Sequence, residues 1–102
     1  MDEGQAILSF AALAQETRIA ILRHLIKAGE KGTASGALAS ALGVSTASMS
    51  FHLGQLQASG LITSRRESRS IIYSANYGRI GALLSFLMKD CCANDPRVLK
   101  CC

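Results

Sequence analysis

Ser45-Thr46-Ala47-Ser48-Met49-Ser50-Phe51-His52-Leu53-Gly54-Gln55-Leu56-Gln57-Ala58-Ser59-Gly60-Leu61 decides how the rest of the chain is read. On a 3.6-residue period Met49, Leu53 and Leu56 share one stripe at i, i+4 and i+7, the pattern of a helix that buries one face. Ser45 suits the N-cap, where its hydroxyl accepts from a free N–H of the first turn. Gly60 suits the stop, because a residue without Cβ takes up left-handed backbone at little cost. A face that met only water would be charged. This one carries Ala47, Ser48, Ser50, Phe51, His52 and Gln55, and no acid. Phe51 lies roughly opposite the apolar stripe, with no core to enter. Small hydroxyls, an amide, an imidazole and one aromatic suit the floor of a DNA major groove. There hydroxyls and amides meet base edges, and apolar groups meet the thymine methyl. The competing reading is a plain amphipathic surface helix whose Phe51 packs on another element, so the flanking sequence has to decide.

Upstream, Ser35 to Leu42 (with Ala37, Leu38, Ala39 and Leu42) reads as a short helix ended by Gly43, and Gly43-Val44-Ser45 as a tight turn. Two short helices joined by a Gly-containing turn form the helix-turn-helix pattern, whose second helix enters the major groove. Before it, Glu16 to about Ala28 is a helix with Ile19, Leu22, Leu25 and Ile26 as its expected buried stripe and Arg18, Arg23 and Lys27 in water. Gly29-Glu30-Lys31-Gly32 breaks it. Residues from about 5 to 14, with Ile7, Leu8, Phe10, Ala11 and Leu13, are apolar nearly all round, so this first helix is expected to be covered on most sides.

Downstream the period changes. Leu61 to Arg66 and Arg69 to Ser74 are β-branched and aromatic runs around Glu67-Ser68, a two-stranded hairpin spanning about 61–75. Its tip sets Arg65, Arg66 and Arg69 against one acid, Glu67. A solvated hairpin end explains such charges; so does a wing lying along the DNA backbone or in its minor groove. A last helix runs from about 77 to 91, with Ile80, Leu83, Leu84, Leu87 and Met88 on its stripe and Cys91 continuing it, and Pro96 ends any helix that follows.

The 102 residues make one domain with a thin core. Apolar residues are 49% and charged residues only 18%, which leaves apolar surface over for a partner subunit. The net charge of +4, with a pI near 9.1, leans weakly toward a polyanionic partner. No stretch has the roughly 18 uninterrupted apolar residues of a membrane span, and Met1-Asp2-Glu3 carries the wrong charge for a secretory signal. A cytoplasmic protein is expected, its thiols kept reduced. The four cysteines stand as Cys91-Cys92 and Cys101-Cys102, too clustered to staple distant loops. No phosphate loop, paired carboxylate or cysteine–histidine neighbourhood speaks for an enzyme.

In this order (four helices, a two-stranded wing, a final helix) the chain resembles the ArsR/SmtB family of winged helix-turn-helix repressors over nearly its whole length. The residues that carry the resemblance are Ala14-Gln15-Glu16-Thr17-Arg18-Ile19-Ala20-Ile21-Leu22, Leu42-Gly43-Val44-Ser45, Ser50-Phe51-His52-Leu53, Ala58-Ser59-Gly60-Leu61-Ile62, and Arg65-Arg66-Glu67-Ser68-Arg69 with Tyr73. The resemblance implies a mainly α, homodimeric fold that holds a palindromic operator and is released when cysteines or histidines take a toxic metal, metalloid or oxidant. On it, helices of about 5–14 and 77–91 would form the dimer. Ser45, Thr46, Ser48, Ser50, Phe51, His52, Gln55, Arg65, Arg66 and Arg69 would face DNA. Two departures stand out. Ser68 occupies a wing-tip position usually held by glycine. The first helix of the helix-turn-helix also lacks the cysteines of the best-known arsenic sensors. An adjacent pair at the end of the last helix resembles a second arsenical-sensing group.

Trivalent arsenic is thiophilic, and soft thiolates select soft centres. Arsenite offers three exchangeable positions and a singly methylated arsenical two. Cys91 and Cys92 supply two thiols, and Cys101 or Cys102 a third. Val98 stands near where three-cysteine sensors have another. Zinc or cadmium is a competitor, though adjacent pairs fit a tetrahedral site poorly; a thiol-redox switch is another. His24 reads as a partly exposed histidine, and His52 as a DNA-face residue rather than a metal ligand.

Overall fold

The computed structural model describes residues 1–90 and Arg97, so the expectations for Cys91, Cys92, Pro96, Val98, Cys101 and Cys102 lie outside the described residues. Within residues 1–90 five helices and a small sheet follow one another: α1 (Glu3–Leu13), α2 (Glu16–Ala28), β1 (Thr33–Ala34), α3 (Ser35–Leu42), α4 (Thr46–Ala58), β2 (Ile62–Glu67), β3 (Ser70–Ala75) and α5 (Tyr77–Asp90). A turn of 3-10 helix, Gly29–Lys31, separates α2 from β1. The architecture is the winged helix-turn-helix read from the sequence, with one strand more. β1 is only two residues long and pairs antiparallel with β3, so the sheet order is β1-β3-β2. A strand this short has no readable period. It exists because Gly32, at φ 69°, brings the chain against β3: a Cβ there would sit 2.4 Å from the Tyr73 carbonyl oxygen.

The core lies where α2, α3 and α4 meet the base of the sheet. Ile21, Leu25, Leu38, Met49, Leu53, Leu56, Leu61 and Ile62 are completely or almost completely buried. On α4 the buried set is the Met49, Leu53 and Leu56 stripe expected from the period. On α2 the expected stripe is corrected. Ile21, Leu22 and Leu25 are buried, while Ile19 and Ile26 are exposed. The true stripe is turned by more than half a residue step, and Arg18, three, four and seven positions before those three residues, lies in its middle. The sequence does not say which of two overlapping apolar arcs meets a neighbour.

α1 departs further. Its buried residues are the small ones, Ala6, Ser9 and Ala12. Ile7 is 60% and Leu8 64% exposed, and Phe10 is also exposed. Small side chains let α1 approach α2, α4 and α5 closely, and the large ones are left outside; within one chain the helix is not covered on most sides. On α5, similarly, Leu83 is buried and Leu84 exposed. No helix among the described residues is long and apolar enough to cross a membrane.

Candidate nucleic-acid interface

The turn that aims α4 is built from three consecutive residues. Gly43 is left-handed (φ 65°, ψ 36°) and closes α3, its N–H and that of Val44 both reaching the Ala39 carbonyl. Val44 packs against the core. Ser45 then caps α4, its Oγ accepting from the Ser48 N–H at 3.1 Å. At the far end Ser59 is buried and its hydroxyl donates to the Leu56 carbonyl at 2.7 Å. Gly60, at φ 82°, takes the chain out of the helix. Arg79 of α5 lies across it and donates to the Ser59 carbonyl at 3.4 Å, placing a cation at the negative end of α4. Asn76 caps α5 through the Arg79 N–H and donates to the Gly60 carbonyl at 3.0 Å. α4 is thus fixed at both ends. Asn76 and Arg79 went unread in the sequence, although an Asn just before an apolar-periodic run is an N-cap signal.

Apart from His52, the candidate residues on α4 fall into three groups. Phe51 is 59% exposed and stands with Ala47, Gly54 and Ala58 opposite the buried stripe. Ser48 and Gln55, seven apart with Phe51 between them, flank it on the side of α1 and α2; Thr46 and Ser50, four apart, flank it on the other. All four are exposed. Ser45, also exposed, has its oxygen engaged in the cap while its O–H remains a donor.

His52 is only half-buried, and it has a partner. Its Nδ1 accepts from Arg18 Nε at 3.2 Å. The guanidinium carbon lies 5.9 Å from the Phe51 ring centroid, and the Phe51 and His52 rings meet edge to face at 5.7 Å and 64°. Arg18, expected in water, therefore reaches across to α4. Its own place in the α2 stripe was the signal.

The three wing arginines have separate surroundings. The side chains of Arg66 and Arg69 are exposed and make no hydrogen bond or ion pair to another described residue. Arg65 is engaged. It donates to the Glu30 carbonyl at 3.2 Å, the Lys31 carbonyl at 2.7 Å and Ser74 Oγ at 3.2 Å, and pairs with Glu67 at 2.6 Å. Its position next to Arg66 suggested one cationic tip; the structure gives Arg65 the task of tying β2 to the turn before β1. Gln57 ties α4 to the wing by donating to Ser64 Oγ at 3.0 Å. The tip holds its shape with Ser68 at φ 57°, the backbone a glycine would adopt freely. Among the described residues no group of three or more His, Cys, Asp or Glu is placed to hold a metal.

Comparison with known proteins agrees with this geometry. Residues 13–65 match a family model described as a helix-turn-helix domain. The chain is 32% identical over 88 residues to the HTH-type transcriptional regulator YgaV of Escherichia coli, covering 86% of this chain and 87% of YgaV. It is 35% identical over 77 residues to the nodulation protein NolR of Rhizobium meliloti, covering 76% of this chain but 61% of NolR, so it spans less than two thirds of that relative's length. Among solved structures, an ArsR-like transcriptional regulator from Rhodococcus sp. RHA1 superposes with TM-score 0.78 at 32% identity, covering 95% of this chain and 89% of that one. A homodimeric winged helix-turn-helix DNA-binding domain from Mycobacterium bovis gives TM-score 0.68 at 27% identity, with coverages of 90% and 85%. A protein described as a possible transcriptional regulator for arsenical resistance gives 0.67 at 25%, with coverages of 78% and 79%.

Proposed function

We propose, given that this chain belongs to the ArsR-like family of winged helix-turn-helix transcriptional regulators, that it is a homodimeric repressor released from its operator by a trivalent arsenical. The chain is a DNA-binding regulator and not an enzyme. The observation that carries the DNA-facing assignment is Phe51: a large aromatic, more than half exposed, on a helix whose ends are both fixed. Around it stand Thr46, Ser48, Ser50 and Gln55, hydrogen-bonding groups of the kind that read base edges. Arg66 and Arg69 supply charge for the flanking backbone. The apolar residues that α1 and α5 leave outside (Ile7, Leu8, Phe10 and Leu84) would be covered by the second subunit. Two-fold pairing would set the two α4 helices about 34 Å apart on a palindromic site.

The effector reading rests on chemistry. Cys91 and Cys92 follow directly on α5, and Cys101 and Cys102 lie within reach of them along the chain. Soft thiolates in adjacent pairs suit trivalent arsenic better than a tetrahedral zinc site. The similarity to a possible regulator for arsenical resistance supports the same reading. Binding at the end of α5 would repack the dimer and respace the reading helices, a coupling of about 1–3 kcal/mol in typical cases.

The test is fluorescence anisotropy of a selected palindromic duplex with reduced protein, titrated in parallel with arsenite, methylarsenite, zinc, cadmium and a mild oxidant. Release by an arsenical, abolished in the Cys91→Ser/Cys92→Ser double variant, is expected. A complex that no arsenical disturbs would overturn the effector assignment, and release by zinc, cadmium or oxidant alone would replace it.

A further inference from the structure

We infer that Arg18 is a positioning residue that links the carboxyl end of α1 to Phe51 and His52 on the DNA-reading helix, an inference that rests on α4 being that helix. Arg18 sits in the first turn of α2, where the Gln15 side chain accepts its backbone N–H at 2.9 Å. From there one rigid guanidinium serves three partners. Nη1 donates to the Ala12 carbonyl at 3.3 Å, one of the last four carbonyls of α1, which lack partners inside the helix. Nε donates to His52 Nδ1 at 3.2 Å. The carbon of the group stands 5.9 Å from the Phe51 ring centroid. A lysine could not do this, because its ammonium is a single point with no planar fork.

The bond to Nδ1 selects a tautomer. With Nδ1 accepting, the neutral ring carries its hydrogen on Nε2. His52 is thereby set up as a donor, matched to phosphate oxygens and to the purine N7 or thymine O4 acceptors of the major groove. The edge-to-face contact at 5.7 Å passes the same constraint to Phe51.

The other end of the link is in α1, whose outward residues are the proposed dimer surface. An open cleft of about 170 Å³, lined in part by Leu8, Ala11, Ala12, Arg18, Gln55 and Ala58, lies between α1 and the reading helix. Beside the close contact that the small residues of α1 make, Arg18 therefore adds a polar connection from α1 to α4. A shift of α1 on repacking of the dimer would move the Ala12 carbonyl, and through Arg18 the posture of His52 and Phe51.

The experiment compares the intact protein with Arg18→Gln, Arg18→Lys, His52→Ala and Arg18→Gln/His52→Ala, after circular dichroism shows each folded. Operator affinity is measured against salt, and the His52 ring nitrogens are followed by 15N NMR without DNA. Arg18→Gln is expected to weaken operator binding about tenfold, the weight of one charge-assisted hydrogen bond. Arg18→Lys should not rescue it, the double variant should be no weaker than the worse single, and the salt slope should stay unchanged. The NMR should show the Nε2–H tautomer in the parent and a mixture in Arg18→Gln. Additive losses, with the salt slope reduced by about one, would make Arg18 a direct phosphate contact and overturn the inference. So would an unchanged tautomer. Failure of the parent to bind any duplex would refute α4 as the reading helix, and the NMR would still decide the Arg18–His52 link.

Discussion

Replacing Phe51 with alanine separates a reading residue from a packing residue. The ring is 59% exposed, so folding removes only about two fifths of its surface from water. At about 2–3 kcal/mol for a fully buried aromatic, that share stabilises by roughly 1 kcal/mol. The exposed contact with the Arg18 guanidinium at 5.9 Å contributes about 0.5 kcal/mol more. Against these, alanine gains about 0.5 kcal/mol in helix propensity. The net loss is about 1 kcal/mol, a fall in Tm of about 4–8 °C for a domain of this size. A core phenylalanine would cost about 3–5 kcal/mol instead. Operator affinity should meanwhile fall about 10- to 100-fold, because the thymine-methyl contact and the water excluded around it are lost on the DNA side. Thermal unfolding by circular dichroism and anisotropy on a selected duplex measure the two quantities on one sample. A Tm loss near 20 °C, or an affinity within twofold of the parent, would refute the placement of Phe51.

The wing arginines should divide by task. Arg66→Ala should leave stability unchanged and weaken DNA binding at every sequence while lowering the salt slope by about one. Arg65→Ala should instead loosen the junction with Glu30, Lys31 and Ser74, costing about 1 kcal/mol by urea unfolding after allowing for the exposure of the group and screening of its ion pair. Equal effects of the two on the salt slope would erase the distinction. Two backbone changes should act in opposite directions. Ser68→Gly removes an L-residue from φ 57° and should be neutral to about 0.5 kcal/mol stabilising, whereas Gly32→Ala sets a Cβ against the Tyr73 carbonyl and should cost more than about 2 kcal/mol, with faster amide exchange at Thr33 and Ala34. A well-tolerated Gly32→Ala would refute the close approach of Gly32 to β3 as what holds β1 in the sheet.

Much of this molecule is written locally. The Met49, Leu53 and Leu56 stripe, the Ser45 cap, the Gly43 turn and the alternating runs either side of Glu67-Ser68 each depend on a few neighbouring residues, so period and capping chemistry were enough to place helix, turn and wing. The exposed face of α4 follows from the same period: once its stripe is buried, Phe51 can only point away. Choices between elements were not legible. Ile19 and Ile26 compete with Ile21 for the inside of α2, and only the position of α4 and of the sheet awards it to Ile21, carrying Arg18 inward toward His52. α1 reads as apolar all round, yet close approach to its neighbours favours Ala6, Ser9 and Ala12 and leaves Ile7 and Leu8 outside. Arg65 and Arg66 are identical letters side by side. Opposite faces of a strand, and a turn that arrives from more than thirty residues away, make one a clamp and leave the other free. Local periodicity fixes what each segment is, because its interactions lie within a turn or a strand pair. Which side chains meet across segments depends on distances that only the assembled core sets.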